Sequence, residues 1–135
     1  MPRLLILLTL PPDVTEQYRA QLSRKFPSIE VEVAATADKA DVFLQVRPGT
    51  DLALMNGLLH LLIEGGYVDD EFVATYTDGY EQMVEFAAQY PPEKVAEITG
   101  VEVTELRRVA EMIGSAGNWM SCWTMGLNQS THGTW

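Results

Sequence analysis

Two stretches place glycine and polar residues directly after an apolar run, which is where an open α/β sheet collects its ligands. In the first, Arg47-Pro48-Gly49-Thr50-Asp51 follows the run from Asp41 to Val46 and opens a helical pattern. Backbone N–H groups at a helix start attract anions. The Asp51 carboxylate is an acceptor suited to a guanine edge or a sugar hydroxyl. The same residues also make an ordinary turn with Thr50 or Asp51 as N-cap, and spacing alone favours that plainer reading. In the second, Met125-Gly126-Leu127-Asn128-Gln129 runs into Ser130, Thr131 and His132. It offers a polar loop after a strand or, more plainly, a frayed end.

Other reactive residue types have plainer explanations. His60 lies among leucines with Glu64 one turn on, the setting of a packed or interfacial histidine more than of a base. Cys122, the only cysteine, falls inside an apolar run and reads as a small hydrophobe. Asp69, Asp70 and Glu71 could recruit a divalent cation, yet carboxylates at a helix start are what the macrodipole favours anyway. Trp119, Trp123 and Trp135 suit core and edge packing better than base stacking.

The elements that must hold these residues follow from composition and pattern. The 135 residues are 47% hydrophobic, enough for a single domain, 1–135, with a real core. A net charge of −10 repels phosphate backbones and acidic bilayers, so neither nucleic acid nor membrane is expected as partner. No apolar run reaches the roughly 18 residues of a span. With one cysteine and no internal disulfide, a cytoplasmic protein is expected. The charge is uneven: residues 1–40 balance, and all the acidic excess lies from Asp41 onward.

Leu4 to Leu8 has the look of a central strand of a parallel sheet. Asp13 is the expected N-cap of a helix carrying Val14, Tyr18, Leu22 and Phe26, stopped by Pro27. Ile29, Val31 and Val33 alternate with Glu30 and Glu32, an edge strand. Asp41 to Val46 predicts a third strand, and Leu52 to Ile63 a helix apolar nearly all round, buried by several neighbours and ended at Gly65. Short helices are expected after Asp69-Asp70, after Thr77 or Asp78, and between Pro91-Pro92 and Gly100. Leu106, Val109, Ala110 and Ile113 mark an amphipathic helix, and 119–125 a last strand. The sum is an α/β fold, flavodoxin-like or Rossmann-like. It has three layers: a mainly parallel sheet of about four strands with helices on both faces.

Two motifs carry a resemblance. Leu44-Gln45-Val46-Arg47-Pro48-Gly49-Thr50-Asp51-Leu52 and Trp123-Thr124-Met125-Gly126-Leu127-Asn128-Gln129-Ser130-Thr131-His132-Gly133-Thr134 make residues 37–135 similar to part of the molybdopterin oxidoreductase family, in particular its bacterial nitrate reductases. That resemblance implies a subdomain holding molybdopterin guanine dinucleotide. Its guanosine end would fall to Gly49, Thr50 and above all Asp51, with Met125, Gly126 and Gln129 also touching the cofactor. Residues 1–36 resemble instead the N-terminal flavodoxin-like domain of D-2-hydroxyacid dehydrogenases, as a β-α-β piece.

Departures from both patterns set the expectation for function. Cys122 alone cannot supply iron–sulfur ligands and a molybdenum ligand together. The strand that should end in Asp-Pro-Arg reads Val33-Ala34-Ala35-Thr36, and Gly114-Ser115-Ala116-Gly117 is no dinucleotide fingerprint. The expectation is therefore no catalysis by this chain alone, no metal site and no cofactor bound. The chain itself would be an engineered or recombined chimera joined near Ala34 to Asp41. The alternatives are weak guanine-nucleotide binding by the retained half-site, or self-association into a homo-oligomer through unpaired sheet edges or swapped elements.

Overall fold

The computed structural model of the chain describes residues 3–7, 11–34, 40–121 and 127. They fall into two compact units, Met1–Phe43 and Leu44–Trp135.

In the first unit, β1 (Arg3–Leu7) pairs in parallel with β2 (Glu30–Ala34), Arg3 opposite Glu30 and Leu7 opposite Ala34. A parallel pair needs a crossover, and α1 (Pro12–Lys25) supplies it and lies against β2. The N-cap is Pro11, not Asp13: Pro12 takes the first helical position, where its missing N–H leaves no bond unmade, and Thr15 N–H donates to Pro11 O (3.0 Å). Asp13 sits one residue inside, in the turn where the dipole favours a carboxylate. Phe26 N–H still reaches Leu22 O (2.8 Å), and Pro27 stops the helix. On β2, Val31 is buried while Glu30 and Glu32 are exposed, so the expected alternation is present over residues 30–32. Along α1, Arg19 Nε donates to Glu16 Oε2 (2.8 Å). That hydrogen bond, then the guanidinium's charge, lowers the Glu16 pKa. The small contribution of this solvent-exposed pair is present above the ordinary glutamate range and is lost as pH falls through the lowered value.

The second unit is helical: α2 (Asp51–Glu64), α3 (Asp70–Tyr76), α4 (Tyr80–Ala87), α5 (Pro92–Thr99) and α6 (Val103–Ser115). Its core joins Leu58 and Leu61 of α2, Val95 of α5, Val101, and Leu106 and Ala110 of α6. Helix α2 is the hub, against α4, α5 and α6. Its all-round apolar pattern is only partly used, since Gly57, Leu58 and Leu61 are buried and Met55 is exposed. Pro92 at the first turn of α5 and Gly100 at φ +80° past its end are the start and stop signals their sequence positions imply. Asp69 caps α3 by accepting from Phe72 N–H (2.8 Å). The cap of α4 is Gly79 at φ +79°, not Thr77 or Asp78. The Thr77 hydroxyl turns back to Val73 O (2.7 Å) and finishes α3 instead.

Thr99 is the buried polar side chain of this core. Its Oγ1 donates to Val95 O (2.7 Å) and accepts from Val101 N–H (3.2 Å). Thr99→Val keeps the shape and strands that N–H, an expected loss of about 1–3 kcal/mol. An unchanged urea midpoint would show that the N–H finds another partner.

The expected three-layer sheet is overturned: among the described residues the one sheet has two strands, against six helices. Asp41 to Val46 is not a strand. Its period of two is real, with Leu44 and Val46 packed on the core while Phe43 and Gln45 are exposed. What they pack on is helices, and the segment's backbone reaches another element where Arg47 N–H meets Thr99 O (2.9 Å). Alternation reports one wet and one dry side, not a neighbouring strand. Of the last predicted strand, residues 119–121 are non-regular and Trp119 is exposed, against its expected packing role. Residues 122–125, with Cys122 and Trp123, lie outside the described residues, as do His132 and Trp135.

Candidate functional site

The turn Arg47-Pro48-Gly49-Thr50 delivers the chain into α2, and Gly49 takes φ +80°, the left-handed conformation that suits glycine. A Cβ there would have no heavy atom within 4 Å, so the turn faces open space. Thr50 holds the N-cap position (φ −110°, ψ 11°), and its carbonyl accepts from Leu54 N–H (3.2 Å). Its hydroxyl does not cap: Oγ1 donates backward to Arg47 O (2.7 Å), and Thr50 N–H joins it on the same oxygen (3.2 Å). The N–H groups of the first turn of α2 therefore have no side-chain cap. Half-buried Asp51, the first helical residue, sets its carboxylate beside them.

On the inner side the turn is tied to the end of α5. Arg47 N–H donates to Thr99 O (2.9 Å), and Arg47 Nη1 donates to Glu97 O (2.5 Å) and Ile98 O (3.2 Å). A cation on these terminal carbonyls satisfies acceptors that the helix leaves over and meets the negative end of its dipole.

The structure thus gathers Gly49, Thr50 and Asp51 in one turn. Met125, Gly126 and Gln129 lie outside the described residues; Leu127 between them is helical. Sequence reasoning passed over Arg47 as a contributor, and took Gly100 only as a helix stop. The available signal was an arginine before Pro-Gly together with a glycine 53 residues further on, and nothing in the spacing joins them. Two other reactive types, His60 and the carboxylates at the start of α3, have plain roles. His60 is half-buried with Nδ1 3.1 Å from Ala87 O, while Glu64 pairs instead with Arg107 (3.1 Å). No group of three His, Cys, Asp or Glu able to hold a metal occurs among the described residues. Clefts of about 350 Å³ between α2 and α6, and about 460 Å³ along α3 and α4, lie away from the turn. Among the described residues, no helix is long and apolar enough to cross a membrane.

No protein-family model matches the chain. The nitrate reductase of Symbiobacterium thermophilum is 47% identical over 108 residues, 73% of this chain and 14% of that protein. Formate dehydrogenase H of Escherichia coli is 37% identical over 98 residues, 73% of this chain and 14% of that protein. Acetylene hydratase from Pelobacter acetylenicus superposes with a TM-score of 0.73 at 29% identity, covering 93% of this chain and 18% of that one. The remaining 7% of 135 residues is fewer than ten, so the match takes in most of residues 1–36, which the chimera reading assigned to another parent. The chain is therefore similar, over most of its own length, to a segment about one-seventh as long as the nitrate reductase and formate dehydrogenase it matches.

Proposed function

We propose that this chain is the guanosine-holding segment of a molybdopterin oxidoreductase, without catalysis of its own. The observation that carries the reading is the turned-back Thr50 hydroxyl, which leaves the first-turn N–H groups of α2 uncapped beside the Asp51 carboxylate. Asp51 would accept from the N1–H and N2–H donors of a guanine edge, and the N–H groups would meet ribose or phosphate oxygens. The open space over Gly49 fits the close approach such a ligand needs. Met125, Gly126 and Gln129 complete the proposed contact set. Molybdopterin guanine dinucleotide, when bound, would supply redox chemistry at its metal-bearing end; this chain's residues bind and orient the other end. The likeness to acetylene hydratase favours a single parent for the whole chain. A recombined or engineered origin rests on the charge step near Asp41 and the unit boundary after Phe43.

The test is calorimetric titration with guanosine diphosphate. Saturable binding is expected in the wild type and at least tenfold weaker binding in Asp51→Ala, because charge-assisted hydrogen bonds are each worth about 1.5–3 kcal/mol. A cooperatively folded wild type that gives no heat overturns the reading.

One observation favours a second property. The outer edge of β1 has no strand partner among the described residues, which suits self-association of copies. A scattering mass that stays monomeric at every concentration refutes it.

A further inference from the structure

The structure assigns Arg47 the role of a positioning residue: it holds the Gly49–Asp51 turn in its ligand-ready shape by clamping that turn to the C-terminus of α5. The binding arm of its test rests on the guanosine reading above, and the arm without ligand does not.

Arg47 uses its donors and its carbonyl in opposite directions. Its N–H and Nη1 reach back to the oxygens of Thr99, Glu97 and Ile98, while its own carbonyl receives both the N–H and the hydroxyl of Thr50. The α5 terminus and the α2 entry are thus joined through one residue. The Thr50 hydroxyl, held on Arg47 O, is withdrawn from the first-turn N–H groups it would otherwise cap. Loss of the clamp frees it to swing forward and occupy them. Gly100 gives the guanidinium its room: a Cβ there would stand 3.3 Å from Arg47 Nε and 3.5 Å from Cζ. Its φ of +80° also suits glycine, but so does the +79° of Gly79, whose added Cβ would meet nothing nearer than Gln82 Oε1 at 3.6 Å. The pair separates crowding of Arg47 from backbone strain.

The experiment compares Arg47→Gln, Arg47→Lys, Gly100→Ala and Gly79→Ala by amide hydrogen exchange of the free protein and by titration with guanosine diphosphate. In Arg47→Gln and Gly100→Ala, protection of the Thr50 amide is expected to fall while that of Leu106, bonded to Glu102 O in α6, is kept. Affinity is expected to drop roughly tenfold, as when a competent turn is populated about a tenth of the time. Arg47→Lys, which keeps a cation for the same carbonyls, should recover part of both effects, and Gly79→Ala should show neither. Unchanged Thr50 protection in Arg47→Gln overturns the clamp, as does loosened exchange with unchanged affinity. A wild type that binds no nucleotide, with Thr50 loosened only in Arg47→Gln and Gly100→Ala, would uphold the clamp and sink the guanosine reading.

Discussion

Leu106→Ala should lower the unfolding free energy by about 3 kcal/mol, within the 2–5 kcal/mol range of buried leucine truncations. Leu106 has no exposed surface and sits in one cluster with Leu58, Leu61, Val95, Val101 and Ala110, so three helices lose a shared contact. The neighbouring Val95 is also fully buried, and Leu58 and Leu61 belong to α2, the hub of this unit, so little can collapse into the gap. Against a net stability of about 5–15 kcal/mol for a typical domain, that is a large share. Urea unfolding should show a lower midpoint with an unchanged slope. A loss under about 1 kcal/mol would mean that this cluster is not the core.

Gly57 should reverse the usual rule for glycine in a helix. Replacing a mid-helix glycine with alanine ordinarily stabilises by about 1 kcal/mol. Here an added Cβ would lie 2.6 Å from Val95 Cγ2 and 2.9 Å from its Cγ1, and Val95 is fully buried, so one of the two helices must shift. Overpacking of this kind costs about 1–3 kcal/mol. Gly57→Ala is expected to be destabilising on balance, and Gly57→Val more so, since its branched methyl groups meet the same wall. Thermal unfolding decides the sign. A higher melting temperature for Gly57→Ala would show that α2 and α5 stand further apart than the contact with Val95 requires.

Helix content, the ends of α3 and α5 and the apolar face of α6 were legible because their signals are local. Asp69 before Asp70, Pro91-Pro92 against Gly100, and the spacing of Leu106, Val109, Ala110 and Ile113 need only neighbours in sequence. The α1 start was misplaced by two residues, since Pro12 competes with Asp13 for the first turn and proline's fixed φ wins. The wider sheet was misjudged for a longer-range reason. Leu44 and Val46 alternate as a strand would, yet their dry side is provided by helices, and alternation does not say what covers it. The site was half legible. Gly49-Thr50-Asp51 stands contiguous in the chain, whereas the clamp from Arg47 to Glu97 and Ile98 spans some 50 residues and leaves no periodic mark.

The central claim is that Asp51 reads a guanine edge, and exchange of the base tests it most directly. Asp51→Asn replaces one acceptor oxygen by a donor and so complements xanthine, which carries a carbonyl where guanine carries its amino group. Calorimetric titration of the wild type and Asp51→Asn with guanosine and xanthosine diphosphates should show the wild type preferring guanosine and the variant reversing that order. Equal affinity for both nucleotides in both proteins would contradict the account, because Asp51 would then be only the first residue of a helix.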